Sequence, residues 1–182
     1  MKNIGVNFSA RKYGNCTRVG EYIGECIPCD MELVRISEFL QNPCGMCDYE
    51  CASGKECSIQ DGLTNLTERL QQAEKIYFFL PTYNGHFPST YYMFMERMSP
   101  FFHEEEEMKR FLSKLSVIYI GNHGNGAERL IEELHSMYEE YKLPPRVLLI
   151  ASKEYGKKAI GDDLLEVAEV KERISQFVIR TL

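Results

Sequence analysis

The chain has 182 residues, a hydrophobic fraction of 44% and a formal net charge of −6 at neutral pH. A chain of this length can bury a stable core without disulfides, so we expect residues 1–182 to form a single domain, with a cysteine-rich insertion at about 40–60. The acidic balance argues against a general attraction to nucleic acid, and the apolar runs fall short of the roughly 20 residues that a membrane-spanning helix needs.

A strand-like run follows Met1 almost directly, without the apolar leader of a secreted protein. We therefore expect a cytoplasmic protein. In that compartment seven cysteines are expected to serve as thiols or metal ligands, because disulfide frameworks are rare there.

Apolar runs alternate with amphipathic segments along the chain. In chain order, buried strands are predicted at 4–8, 31–36, 76–80, 116–120 and 146–151. Helices are predicted at 14–26, 61–70, 88–98, from 104 onwards, at 127–141 and at 162–177. This alternation predicts an α/β protein whose parallel sheet is covered by helices on both faces. Five strands fit the doubly wound arrangement with order 2-1-3-4-5, in which ligands bind beyond the carboxyl ends of the strands.

The loop after the first strand has the composition of a phosphate site. It reads Ser-Ala-Arg-Lys-Tyr-Gly-Asn-Cys-Thr and leads into a predicted helix, whose first amides and positive dipole end favour an anion. Ser9, Asn15 and Thr17 offer neutral donors, and Arg11 offers a planar cation that suits a phosphate. Taken alone, the same residues would also suit an ordinary loop that caps a helix.

Two further loops follow later strands and are expected at the same edge of the sheet. Residues 81–86 read Pro-Thr-Tyr-Asn-Gly-His, a turn with an aromatic ring for stacking, and residues 121–126 read Gly-Asn-His-Gly-Asn-Gly. Each alone could be a plain connection between a strand and a helix. Together with the first loop they suit a planar heterocycle that carries one phosphate, and His86 and His123 could contact this ligand or a substrate.

These loops resemble the motifs of the NADPH-dependent FMN reductase family, a branch of the flavodoxin-like superfamily. The family's first motif reads roughly S-x-R-x-x-G-N-[TSC], and its second reads roughly P-x-Y-x-[GN]; both occur here at matching spacing. The resemblance implies that the FMN phosphate is held by Ser9, Arg11, Asn15, Cys16 and Thr17. It also implies that the ring lies against Pro81, Thr82, Tyr83, Asn84 and Gly85 on one side, and Gly121, Asn122, His123 and Gly124 on the other.

At position 16 many relatives carry threonine, and a cysteine thiol is the weaker donor. We therefore expect the backbone N–H of Cys16 and the neighbouring Thr17 to contribute more of the binding than the thiol does.

The resemblance further implies a reaction. NAD(P)H would deliver hydride to bound FMN, and the electrons would pass to a quinone, a flavin, a nitro compound or another small acceptor. No catalytic side chain is expected, because the flavin carries this chemistry. The family also implies a homodimer or homotetramer. The alternative to an enzyme is a flavodoxin-like binding protein that has no redox activity.

Four cysteines form a compact set, Cys44, Cys47, Cys51 and Cys57, with the spacing C-x2-C-x3-C-x5-C. Thiolates bind iron–sulfur clusters and zinc, so one metal centre is possible at this set, but a metal-free thiol segment is an equally open interpretation. The spacing resembles the motif of the iron–sulfur flavoproteins, usually C-x2-C-x2-C and a fourth cysteine, from which it departs by one residue. That resemblance implies a 4Fe–4S cluster and a ferredoxin-like electron donor. Cys26 and Cys29 form another C-x-x-C step, which we expect to be structural.

Overall fold

The computed structural model describes residues 2–39, 42–45, 47–55, 57–98, 104–122 and 127–182. Its strands form one sheet in the order β2-β1-β3-β4-β5, and every neighbouring pair is parallel. The predicted flavodoxin-like strand order is confirmed. The strands are β1 (Asn3–Asn7), β2 (Met31–Arg35), β3 (Ile76–Pro81), β4 (Leu115–Gly121) and β5 (Val147–Ala151).

Helices cover both faces of the sheet, as predicted. They are α1 (Asn15–Cys26), α2 (Gly62–Gln72), α3 (Ser89–Arg97), α4 (Glu105–Lys114), α5 (Glu128–Glu140) and α6 (Ala168–Thr181). Helices α2 to α5 contribute to the core on one face, and α1 and α6 to the core on the other. β3 supplies both cores because its side chains alternate: Phe78 packs in the first, and Tyr77 and Phe79 pack in the second.

The last helix begins later than predicted. Residues 162–167 do not start α6 but contain a short 3-10 turn, Leu164–Glu166, capped by Asp163, whose carboxylate accepts a hydrogen bond from Leu165 N at 2.9 Å. The side chain of Asn15 also accepts a hydrogen bond from Leu164 N at 3.1 Å. These two contacts hold the segment against the start of α1, so the long helix begins only at Ala168. The other predicted boundaries of helices and strands lie close to the observed ones.

Within the described ranges, no helix is long and apolar enough to cross a membrane.

Candidate functional site

The carboxyl ends of β1, β3 and β4 bring the three polar loops to one edge of the sheet. In the register of the sheet, Asn7 lies beside Phe79, and Pro81 lies beside Ile120. The first two loops therefore meet where the strand order reverses between β1 and β3, which is the usual ligand crevice of this fold. Gly121 and Asn122 of the third loop lie at the same edge, whereas His123 and Gly124 lie outside the described residues.

Asn7 organises the first loop, a role that the sequence reasoning missed. Its side chain is fully buried and accepts a hydrogen bond from Ser9 N at 2.8 Å. The same side chain donates to Thr17 Oγ1 at 2.9 Å, and that hydroxyl in turn donates to Lys12 O at 2.9 Å. Both ends of the loop are thereby tied to the first turn of α1. The sequence feature that could have indicated this role is the one asparagine within the apolar run at 4–8.

The start of α1 presents backbone amides to the loop. Arg18 N donates to Gly14 O at 3.1 Å, and the amides of Asn15, Cys16 and Thr17 precede this first bond of the helix. Gly14 is extended and has no side chain that could cap these amides. Amides at the positive end of a helix dipole bind phosphate, so this donor set fits the phosphate of FMN.

Arg11 lies directly beside these amides. Its guanidinium packs over Gly14, where an added Cβ would be 3.4 Å from Arg11 Cζ, and its Nη2 donates to Ala159 O at 3.1 Å. The guanidinium also lies close enough to Cys16 to affect the pKa of its thiol. Burial raises this pKa to about 12, while the charge of Arg11 opposes the rise. The Cys16 thiol packs in the core, so the amide is the group of this residue that faces the loop.

Asn15 uses its side chain inside the protein. Its carboxamide oxygen accepts from Leu164 N at 3.1 Å, and its nitrogen donates to Asp162 O at 3.2 Å and to Ala159 O at 3.4 Å. These bonds attach residues 159–164 to the start of α1. The predicted contact between Asn15 and a phosphate stays a prediction, and the backbone N–H is the group that remains for it.

The second loop closes as a tight turn between Tyr83 and His86. Tyr83 N donates to His86 O at 2.9 Å, and His86 N donates to Tyr83 O at 3.1 Å. Asn84 and Gly85 have positive φ values of 51° and 76°, which is the type I′ geometry that these two residues favour.

Side chains at both ends of this turn reach neighbouring elements. The Tyr83 hydroxyl accepts from Ala10 N at 3.0 Å and lies 3.4 Å from Ser9 Oγ, and the side chain is 41% exposed. At the other end, Arg129 Nη2 of α5 lies 3.1 Å from His86 Nδ1. The turn therefore spans the rim from the first loop to α5, and Tyr83 leaves part of its ring open for stacking.

Gly121 makes room for Tyr119 beneath the third loop. A Cβ at Gly121 would lie 2.8 Å from the Tyr119 ring. Burial raises the pKa of the Tyr119 phenol, whereas the neighbouring side chain of Thr82 opposes the rise. Asn122 O accepts from Lys153 N at 3.0 Å, which connects the third loop to the end of β5.

The cysteine segment lies against the end of α3. All seven cysteines lie within the described residues and are free thiols. Burial raises the pKa of Cys44, and the neighbouring thiols of Cys47, Cys51 and Cys57 raise it further, so the four side chains lie close enough to interact. Among the residues that the structure describes, no group of three or more His, Cys, Asp or Glu side chains is arranged to hold a metal ion. The metal-ligand set remains a prediction.

A buried ion pair attaches this segment to α3. Arg97 donates to Asp61 Oδ2 at 2.6 Å and to Asp61 Oδ1 at 3.0 Å, and the two side chains are only 1% and 5% exposed. The same guanidinium donates to Asn42 O at 3.1 Å and to Ile59 O at 3.3 Å. Arg97 therefore fixes both ends of the cysteine segment. Sequence spacing offered no signal for this contact.

The second cysteine pair is remote from the loops. Cys26 is partly buried with its sulfur 4.0 Å from Ser175 Oγ, and Cys29 is exposed before β2. Both therefore lie at the amino edge of the sheet, opposite the candidate site.

Comparison with known proteins places this site in context. A curated relative, an iron–sulfur flavoprotein from Archaeoglobus fulgidus, is 29% identical over 97 residues, which are 53% of this chain and 49% of that protein. The match thus spans about half the length of the relative.

Two solved structures show the same fold at identities too low to indicate more. RosB with bound 8-demethyl-8-formylriboflavin-5'-phosphate has a TM-score of 0.67 and 14% identity, covering 98% of this chain and 76% of that one. An NADPH-quinone reductase from P. pentosaceus has a TM-score of 0.59 and 13% identity, covering 98% and 97%.

The sequence model of one family, described as NADPH-dependent FMN reductase, matches residues 1–153. The resemblance that the loop motifs indicated is thereby confirmed. Because the match covers most of the chain and the strand order agrees with it, this protein belongs to the NADPH-dependent FMN reductase family.

Proposed function

We propose that this protein passes electrons from NAD(P)H through bound FMN to a small organic acceptor such as a quinone, a nitro compound or a flavin. The observation that carries the proposal is the first loop. There the amides of Asn15, Cys16 and Thr17 precede the first hydrogen bond of α1, and the guanidinium of Arg11 packs over Gly14 beside them. This arrangement recognises a phosphate monoester, the group by which FMN differs from riboflavin.

The chain's residues bind and orient the cofactor. Ser9, Arg11 and the first amides of α1 would hold the phosphate, while the turn from Pro81 to Gly85, together with Gly121 and Asn122, would flank the ring. When bound, the flavin accepts hydride from reduced nicotinamide and supplies two electrons to the acceptor. The sequence has no separate dinucleotide-binding motif, so donor and acceptor would use the same open rim in turn.

Flavin titration tests the phosphate assignment. Replacing Arg11 with alanine removes a charge-assisted hydrogen bond to the phosphate, which is worth about 1.5–3 kcal/mol, or roughly a 10- to 100-fold loss of FMN affinity. The matched control is Lys12→Ala, an exposed neighbouring cation that should change affinity by less than about threefold. Riboflavin lacks the phosphate, so its affinity should be the same for Arg11→Ala and wild type. An unchanged FMN affinity, or an equal loss for riboflavin, would contradict the assignment.

Anaerobic stopped-flow absorbance tests the reaction. NADPH alone should bleach the flavin-loaded protein, and a quinone added afterwards should restore the oxidised spectrum. This two-stage result would support a shared rim and identify the acceptor class. A spectrum that NADPH and NADH both leave unchanged would rule out the proposed donor.

An iron–sulfur flavoprotein is the second candidate, favoured by the position of the cysteine segment. Helix α3 begins after the second loop and ends at Arg97, which bonds the cysteine segment. Its nine residues span only about 12 Å, so the cysteine segment lies near the candidate flavin site. The relative from Archaeoglobus fulgidus carries the same designation. Iron, sulfide and zinc analysis of protein purified without oxygen distinguishes the outcomes. About four irons per chain would support a cluster on Cys44, Cys47, Cys51 and Cys57 with a ferredoxin-like donor, and no metal would support a thiol segment.

Three further proposals concern the whole chain. We infer that residues 1–182 form one domain, that the protein is a homodimer or homotetramer, and that it is cytoplasmic. A single cooperative unfolding transition, light scattering and cell fractionation test these in turn.

A further inference from the structure

His86 stands at the exposed end of the type I′ turn, and its ring has a defined partner. Arg129 Nη2 lies 3.1 Å from His86 Nδ1. A guanidinium has donors but no acceptor, so Nδ1 must be the acceptor of this bond. The neutral imidazole then carries its proton on Nε2 and presents an N–H donor on the side away from Arg129.

The location of this donor is set by the turn. At one end of the turn, the Tyr83 hydroxyl accepts a hydrogen bond from Ala10 N of the first loop at 3.0 Å. At the other end, His86 contacts Arg129 of α5, the helix that follows the third loop in the chain. A flavin with its phosphate at the start of α1 and its ring along the turn would therefore extend towards His86. The imidazole lies on the exposed end of the second loop, beside the start of α5.

We propose that His86 donates a hydrogen bond from Nε2 to an oxygen atom of the electron acceptor, and that Arg129 is the positioning residue that selects this tautomer. The inference rests on the proposed function and narrows its acceptor to compounds with an oxygen at the reacting centre, quinones above all. A quinone that takes up a hydride from the reduced cofactor and one proton from water becomes a hydroquinone. Negative charge grows on its oxygen during this step, and a donor aimed at that oxygen stabilises it.

His86 is a hydrogen-bond donor in this step and not the source of the proton. Arg129 occupies Nδ1, so the ring could not take up a compensating proton there if it lost the one on Nε2. The nicotinamide donor restores the reduced cofactor, and the two electrons lost by the donor equal the two gained by the quinone.

The test compares two acceptors with the flavin-loaded protein. Benzoquinone needs the hydrogen bond, whereas ferricyanide takes single electrons without one, so the ratio of their kcat/KM values isolates the effect. His86→Leu should lower this ratio about 10- to 100-fold, the value of one hydrogen bond to a charged oxygen. His86→Gln keeps an N–H near the position of Nε2 and should restore most of the ratio. Glu132→Gln, an exposed change on α5, serves as the control for both acceptors.

Arg129 gives an independent arm of the test. Arg129→Leu should lower the ratio in the same direction as His86→Leu but by less. Arg129→Lys should restore part of it, because the lysine ammonium has nearly the same reach and can still donate to Nδ1. Nitrogen NMR of the histidine ring should show the Nε2–H tautomer in wild type and a mixture in Arg129→Leu. If Arg129 had only a structural role, Arg129→Leu would leave the tautomer of His86 unchanged.

Three results would overturn the inference. These are an unchanged ratio in His86→Leu, an equal loss with both acceptors, and an Nδ1–H tautomer in the wild-type protein. Flavin reduction by NAD(P)H, measured without an acceptor, separates this failure from that of the proposed function. Normal reduction with no effect of His86 refutes the inference alone. If NAD(P)H does not reduce the flavin, the proposed function fails and the inference fails with it.

Discussion

Replacing Arg97 with methionine should lower the free energy of unfolding by about 3–5 kcal/mol, the usual result of removing one partner of a buried ion pair. The change leaves the carboxylate of Asp61 buried without its cation. It also removes the donors that bond Asn42 O at 3.1 Å and Ile59 O at 3.3 Å. Methionine keeps much of the apolar contact of the arginine side chain, so the loss reports on the polar contacts rather than on a cavity.

The size of the effect follows from burial. The Arg97 and Asp61 side chains are 1% and 5% exposed, so solvent screens their attraction very little. Lys109→Met is the matched control, since Lys109 and Glu106 form a pair 3.9 Å apart with 44% and 77% of their side chains exposed. Removing such a surface pair should cost no more than about 0.5 kcal/mol.

Urea unfolding measures both variants. The chain has no tryptophan, so far-ultraviolet circular dichroism is the suitable signal. Arg97→Met should shift the midpoint without changing the slope, and for a chain of this size 3–5 kcal/mol corresponds to a fall in Tm of roughly 6–20 °C. A loss below about 1 kcal/mol, close to that of Lys109→Met, would refute the reasoning.

A double-mutant cycle isolates the pair. Asp61→Asn removes the charge but keeps the oxygen that accepts from Leu63 N at 3.0 Å, so the start of α2 remains capped. The double variant with Arg97→Met should lose less stability than the sum of the single losses, by about 0.5–3 kcal/mol. Strict additivity would show that Arg97 stabilises the segment through its carbonyl contacts and not through Asp61.

Three other predictions concern the site and the core around it. Because burial raises the pKa of Cys16 to about 12, this thiol should resist iodoacetamide at pH 9–10 while the exposed Cys29 reacts. Peptide mass spectrometry measures the two rates of alkylation, and equal rates would contradict the prediction. The unfolded thiol ionises near its ordinary value of 9.0, so the contribution of Cys16 to stability is present below this pH and is lost as pH rises above it. Asn7→Ala removes the two hydrogen bonds of the buried Asn7 side chain, so the free energy of unfolding should fall by about 1–3 kcal/mol. FMN affinity should fall with it. An unchanged affinity would show that the first loop keeps its shape without Asn7. Gly121→Ala places a Cβ 2.8 Å from the Tyr119 ring, so the free energy of unfolding, measured with urea, should fall by about 1–3 kcal/mol. An unchanged value would mean that the ring can move aside.

The fold was predictable because its signals are periodic and local. Every residue of β3 and β4 is buried because both faces of these strands are covered, and in the sequence both strands are nearly continuous apolar runs. Alternation of such runs with amphipathic helices leaves few topologies, and the order 2-1-3-4-5 is among them. The positions of the first two loops follow from the same argument, because loops after parallel strands must lie at one edge.

The contacts that hold the site together were not predictable in this way. Arg97 and Asp61 are 36 residues apart, and His86 and Arg129 are 43 residues apart, so no helical or strand period connects them. Each pair forms only because the strand order places its two elements side by side. The late start of α6 has the same origin, since Asn15 bonds Leu164 N from the other end of the chain.

Asn15 shows why residue type alone cannot assign a ligand contact. A carboxamide offers donors and an acceptor that suit a phosphate and a backbone carbonyl equally well, and only distance decides between them. Here the side chains of Asn7 and Asn15 are both buried and bonded within the protein. Because these bonds fix the loop and the start of α1, the backbone amides keep their direction towards the edge of the sheet. The protein's own polar side chains thus hold in place the backbone amides that would contact the proposed phosphate.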